Sequence, residues 1–277
     1  MAFPVARLAL TVELTSFCNQ RCAHCYHAFE HTPARALPTD ELVCLLERAL
    51  SEVPFERVTL CGGEPLAYGG LFEVLELCAA RGVTAHIASN ATLITDEMAS
   101  RLAGFASTAV QVPLNGPVAK VHDATVGVPG AWERAVRGIE RLRSHGVVTV
   151  GCIVITHYNA ALVGATLDRM RELGIASAAL SRLLAGGASA QSLDLLPTRG
   201  DLLEAFRQAS APRFSGAHPG RGGSALASAA AGRGRGRHKQ DRIVSEEDGR
   251  RPGSGGQQRG WRQGAACGGS DSGSAGV

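Results

Sequence analysis

A chain of 277 residues, 45% of them apolar, is long enough to bury the core of one large α/β domain or two ordinary ones without crosslinks. Its first apolar stretch is broken by Arg7 and Glu13, which argues against a secretory leader, and no run approaches the roughly 20 apolar residues of a membrane helix. The expectation is a soluble protein of the reducing cytoplasm, where clustered cysteines more often bind metal or do chemistry than crosslink. The net charge of +3 is unevenly spread: residues 1–210 carry 17 Lys and Arg against 20 Asp and Glu, and residues 211–277 carry 11 against 5.

In chain order, the first β-rich run is LALTVELT (8–15), followed at once by CNQRCAHC, with cysteines at 18, 22 and 25. Thr39-Asp40-Glu41 then offers a helix start, a capping hydroxyl before acids that suit the helix dipole. RVTLC (57–61) is the second strand and runs into GGEP (62–65); TAHIASN (84–90) is the third and ends on Ser89-Asn90. Thr95-Asp96-Glu97 repeats the helix-start pattern. TAVQVPL (108–114) leads to Asn115-Gly116, and His122-Asp123 reads either as a turn and cap or as a substrate contact. AWERAVRGIERLRSHG is amphipathic, with Trp132, Ala135, Val136, Ile139 and Leu142 on one face and Gly146 as the stop. VVTVGCIVI (147–155) and ASAALSRLL (176–184) complete six strands, and GDLLEAFRQA (200–209) closes the periodic region. Strands alternating with helices imply parallel βα units, as a partial barrel or an open doubly wound sheet. Either places function at the carboxyl ends of the strands.

Three thiolates on one loop can hold three irons of a cubane cluster and leave the fourth open, whereas an electron-transfer cluster usually takes four cysteines. A structural zinc site of the Cys3His type, using His24, His27 or His31, also accounts for the loop but explains neither GGEP nor the polar residues at later strand ends. Cys44, Cys61, Cys78 and Cys152 lie in apolar helix or strand patterns and read as small buried hydrophobes, Cys61 bordering the site.

At this point the sequence resembles the radical S-adenosylmethionine (radical SAM) enzymes, whose signature is Cys-x3-Cys-x2-Cys after the first strand, here Cys18, Cys22 and Cys25. The resemblance continues through GGEP, SNATLIT (89–95) and the segment 114–142, spans roughly residues 8–210, and is closest to the branch with a SPASM-type extension that modifies peptides or builds cofactors. It implies a partial (β/α)6 TIM-type barrel, one 4Fe-4S cluster on the three cysteines, and reductive cleavage of S-adenosylmethionine to a 5'-deoxyadenosyl radical that abstracts hydrogen from a peptide or cofactor precursor. It also implies an electron donor such as flavodoxin or ferredoxin. By the same resemblance, Gly62 and Gly63 let backbone approach the methionyl ammonium, Glu64 adds a charged hydrogen bond and Pro65 fixes the turn. His24 packs on adenine, and Ser89, Asn90 and Asn115 contact the ribose or the methionine moiety. The chain departs from the family in Pro113-Leu114-Asn115-Gly116-Pro117, which lacks a hydroxyl and a carboxylate, and in Val126-Gly127, which lacks an arginine that would meet the methionine carboxylate.

Residues 211–277 hold half of the 34 glycines and few large apolar residues, so they read as a disordered tail following a core domain of 1–210. Only Cys267 lies there, too few thiols for an auxiliary cluster, and the abrupt bias of GRGRGR (232–237) reads as an out-of-frame translation in place of the extension. The tail leaves open a catalytically incomplete homologue, or an Arg/Gly arm for nucleic acid, although it lacks the aromatic rhythm such arms use.

Overall fold

The computed structural model describes residues 8–26 and 35–211. The chain divides into two compact units, 1–216 and 217–277; the second lies outside the described residues, as do His27, His31, Cys267 and the expectations for the tail.

Six strands, β1 (Leu8–Thr15), β2 (Phe55–Gly62), β3 (Thr84–Ala88), β4 (Thr108–Pro113), β5 (Val148–Ile155) and β6 (Ala178–Arg182), pair in parallel in that order. An order that follows the chain without reversal has no switch point, so the architecture is a barrel wall and not a doubly wound sheet. It is a six-stranded half-barrel. The crossovers carry α1 (Thr39–Glu52), α2 (Leu71–Ala80), α3 (Asp96–Ala103), α4 (Ala119–Val126), α5 (Ala131–Ser144) and α6 (Val163–Glu172), and α7 (Arg199–Ala209) follows β6.

The two-residue period of the strands divides the molecule. On one face Val58, Leu60, Ile87, Val110, Val112, Ile153 and Ile155 are buried and join Leu46, Leu75, Leu102, Ile139 and Met170 of the helices in one apolar core. The opposite face presents Ala88, Gln111, Pro113, Cys152 and Val154 to a cavity. Thr95 caps α3, its hydroxyl accepting from the Met98 amide at 3.1 Å. Thr39 does not cap α1: it is the helix's first residue, behind Pro38, and packs against Gly70. His122 and Asp123 lie inside a helix, α4, and the Asp123 carboxylate reaches forward to accept from Gly130 (2.7 Å) and Trp132 (2.8 Å), closing the start of α5.

Candidate active site

The cysteine loop leaves β1 and is tied down from four sides, one of them the segment after β6, whose Ser189 amide donates to Cys25 O at 3.4 Å. Below it, the Gly63 amide donates to Thr15 O and the Glu64 amide to Phe17 O, both at 2.7 Å. A Cβ on Gly63 would fall on the Phe17 carbonyl, and Gly62 has φ +114°, a left-handed value that favours glycine. The two glycines therefore let the end of β2 pass beneath the cysteine loop. On the α4 side, the amides of Arg21 and Ala23 donate to Val126 O (2.9 Å) and Thr125 O (3.2 Å). Gly127, with φ +69°, sits where a Cβ would come within 2.8 Å of Arg21 O, so the Val-Gly step that replaces the expected arginine is itself a packing contact of the loop. On the β3 side, Asn19 donates to Thr92 Oγ1 and accepts from Asn90 Nδ2, each at 2.8 Å.

Glu64 is the hub beneath these ties. It is fully buried; Oε1 accepts from Ser89 Oγ (2.7 Å) and from the Leu66 amide (3.0 Å), and Oε2 accepts from the Asn90 amide (2.9 Å). Burial pushes its carboxyl above the usual range while these donors pull the other way. The geometry makes Glu64 a positioning residue that joins GGEP to the end of β3. Asn90 is likewise engaged, its Oδ1 accepting from the Thr92 amide (3.0 Å) and hydroxyl (2.7 Å).

A second polar cluster lies behind β4 and β5. Asn115 is wholly buried and its groups are taken: the amide donates to His122 Nδ1 (3.2 Å), Oδ1 accepts from the Val154 amide (3.0 Å), and the carbonyl accepts from Asn159 Nδ2 (3.1 Å). Its Nδ2 reaches His24 Nε2 at 3.5 Å. Asn115, expected at the ribose or methionine, thus supports the histidine expected at adenine, and does not line the cavity; nor does Pro65, which begins a short 3₁₀ turn. Burial holds both His24 and His122 well below the usual imidazole range, at about 4 each, so both rings are neutral near pH 7.

Cys18, Cys22 and Cys25 each line a cavity of about 660 Å³, together with His24, Gly62, Gly63, Glu64, Ser89 and Asn90. Burial raises the Cys18 thiol above its ordinary range and pushes Cys22 up to about 12, with Cys18 and Cys25 adding repulsion. Such thiols become thiolates together only around a cationic centre, so the chemistry of the donor set suits a metal-containing group, although among the described residues no three such side chains already converge on one ion position. Nine of the eleven residues expected at the site therefore border the cavity, all but Pro65 and Asn115.

The wall also includes Cys152 and four residues that the sequence reading did not single out, Gln20, Arg21, Gln111 and Arg182. Cys152, expected as a core residue, faces the cavity and hydrogen-bonds Gln111; the alternation of β5 about Ile153 and Ile155 is the signal that places it there. Cys78 is buried as expected, whereas Cys44 and Cys61 are only half-buried.

A six-stranded parallel half-barrel with three cysteines after its first strand defines a class, and comparison with known proteins supplies the family. The Radical SAM superfamily pattern matches residues 12–170, from β1 into α6, and the chain belongs to that superfamily. It is 31% identical over 186 residues to the AdoMet-dependent heme synthase of Methanosarcina barkeri, covering 67% of this chain and 53% of the relative. To the mycofactocin maturase MftC of Mycolicibacterium smegmatis it is 32% identical over 182 residues, covering 61% and 46%. Among solved structures, Streptococcus suis SuiB bound to the precursor peptide SuiA superposes with a TM-score of 0.62 at 19% identity, covering 74% of this chain and 45% of SuiB, a likeness of fold. The chain spans about half the length of the curated relatives it matches.

Proposed function

We propose that this protein is a radical SAM enzyme in which Cys18, Cys22 and Cys25 hold a 4Fe-4S cluster and the adjoining cavity takes S-adenosylmethionine. The observation that carries the reading is the placement of three thiols, with no fourth cysteine on their loop, at the wall of a 660 Å³ cavity on the strand-end rim. When bound, the cluster supplies the electron for cleavage of S-adenosylmethionine to methionine and a 5'-deoxyadenosyl radical, which takes a hydrogen atom from substrate.

The chain's own part in this is placement. Gly62 and Gly63 keep the end of β2 against the cysteine loop, and Glu64 fixes Ser89 and Asn90 at the cavity wall. Asn115 aims its amide at His24, whose neutral ring presents an apolar, stackable face where adenine would lie. Arg182, at the end of β6, lines the cavity, and its guanidinium makes no ion pair or hydrogen bond among the described residues. It is the group that would meet a carboxylate in place of the arginine missing at Val126-Gly127.

For substrate we infer a peptide or a cofactor precursor, because the relatives include a maturase and a heme synthase and SuiB is solved with a precursor peptide. A flavodoxin or ferredoxin is the electron donor this chemistry implies. The test is anaerobic reconstitution with iron and sulfide, followed by dithionite and S-adenosylmethionine. The expected result is a brown protein with four irons per chain that releases 5'-deoxyadenosine; an iron-loaded protein that forms none would overturn the reading.

A further inference from the structure

Gln20 sits between the first two cysteines of the loop and lines the cavity, yet is only 5% exposed. Its backbone amide already points at sulfur, donating to Cys18 Sγ at 3.4 Å. Its side-chain Oε1 accepts from the Cys22 thiol at 3.6 Å, and its Nε2, a buried donor, has no partner. Buried amide donors are rarely left unpaired in native structures, and one that is left so needs an explanation. The explanation here lies in what the neighbouring sulfur becomes.

With iron on Cys22, the sulfur has no hydrogen left to donate and carries negative charge. An amide oxygen facing it is then repelled, while an amide N–H is attracted. Rotation of the Gln20 amide by half a turn exchanges Oε1 and Nε2 at little steric cost, because the two ends are nearly the same size. That single rotation removes the repulsion and gives the orphaned donor its acceptor.

Resting on the cluster assignment above, we propose that Gln20 is a tuning residue for the cluster, donating from its backbone to the Cys18 sulfur and from its side-chain amide to the Cys22 sulfur. Hydrogen bonds to cluster sulfurs favour the reduced, more negative state and so raise the reduction potential. Gln20 thereby eases the entry of the electron through the cluster sulfurs.

The test is the midpoint potential of the reconstituted full-length protein, followed by electron paramagnetic resonance during titration with dithionite. Gln20→Met keeps the side-chain volume and removes the donor, so its midpoint is expected to move to a more negative value. Gln20→Glu also keeps the volume but faces sulfur with oxygen at both ends, and is expected to move further in the same direction. Two variants that load iron and keep the wild-type midpoint would overturn the proposal, since a purely packing role predicts that outcome. A direct readout needs no variant: with ¹⁵N in the glutamine side-chain amides, the reduced wild-type cluster should show a nitrogen coupling in pulsed spectra. Absence of that coupling overturns the proposal even if the variants fail to bind iron. Wild-type protein that takes up no iron at all would instead remove the cluster assignment, and the tuning role with it.

Discussion

The strand-end rim is built in two ways. From β1 to β3 the loops are bonded to one another: Gly63 and Glu64 to Thr15 and Phe17, Glu64 to Ser89 and Asn90, Asn19 to Asn90 and Thr92. From β5 to β6 the cavity wall is Cys152, Val154, Arg182 and Leu184, and the segment beyond β6 leaves Leu184 and Leu193 exposed at 63% and 61%. The first half holds its groups in one arrangement before anything binds; the second offers apolar surface and an unengaged guanidinium. That difference fits a site whose cofactor end must be fixed and whose substrate end is left adaptable.

The comparison breaks most sharply at the thiols. Cys22→Ala is expected to lose the cluster and with it all 5'-deoxyadenosine formation, while the fold persists, because Cys22 is only half-buried and contributes little to the core. Iron content and circular dichroism of the variant check both halves of that statement; a variant retaining four irons would remove Cys22 from the ligand set. Next in size is Gly63→Ala. A methyl there meets the Phe17 carbonyl, which belongs to backbone and cannot swing aside, so a loss of about 3 kcal/mol is expected, at the upper end of overpacking costs. Denaturant titration of the variant would show it, and wild-type stability would mean the glycine serves the ligand alone.

Behind the fixed half, the neutral histidines make acid the natural probe. His122 has its pKa lowered to about 4 by burial, with Asp123 opposing and His24 adding to the depression, and its Nδ1 must stay unprotonated to accept from the Asn115 amide. Because the folded value lies below the ordinary 6.5, the unfolded chain takes up the proton first as pH falls. The stability carried by the neutral ring is therefore complete above pH 6.5 and is lost progressively as pH drops towards 4, by about 3 kcal/mol in all. His122→Gln keeps an acceptor but does not titrate, so the pH slope of its unfolding free energy between 7 and 4 should be shallower than that of wild type. Equal slopes would place the acid sensitivity elsewhere.

Much of the fixed half was legible in the chain because its chemistry is written in short, contiguous patterns. CNQRCAHC and GGEP each follow a β-rich run, and the alternation of strands with helices, which implies parallel βα units, put both at the same end of one sheet. What those patterns do not carry is the partner of each side chain. Asn115 was expected at S-adenosylmethionine and is consumed by His122, Val154 and Asn159, since a buried amide must satisfy all its groups wherever the packing places it. Gln20 and Asn19 carry no role in the sequence reading, although the first has its side chain on Cys22 sulfur and the second ties the loop to β3. The choice between barrel and doubly wound sheet was likewise closed to local pattern, because strand order is a long-range property.

The smallest expected effect tests the adaptable half. Leu193 lies in the segment between β6 and α7 and is 61% exposed, so replacing it with Ser forfeits little buried apolar surface. Its unfolding free energy should stay within about 0.5 kcal/mol of wild type, as for surface substitutions away from packed or capped positions. Iron content should also be unchanged, because no bond of the cysteine loop runs through Leu193. What should change is the protection of the segment itself: the Leu196 amide donates to Leu193 O at 3.1 Å and the His157 amide to Leu195 O at 2.9 Å. Hydrogen exchange of these two amides should be far faster than that of the β2 and β3 amides in both proteins. If Leu193→Ser instead costs several kcal/mol, or its local amides exchange as slowly as those of the sheet, the segment is part of the rigid scaffold and the division of the rim into a fixed and an adaptable half fails.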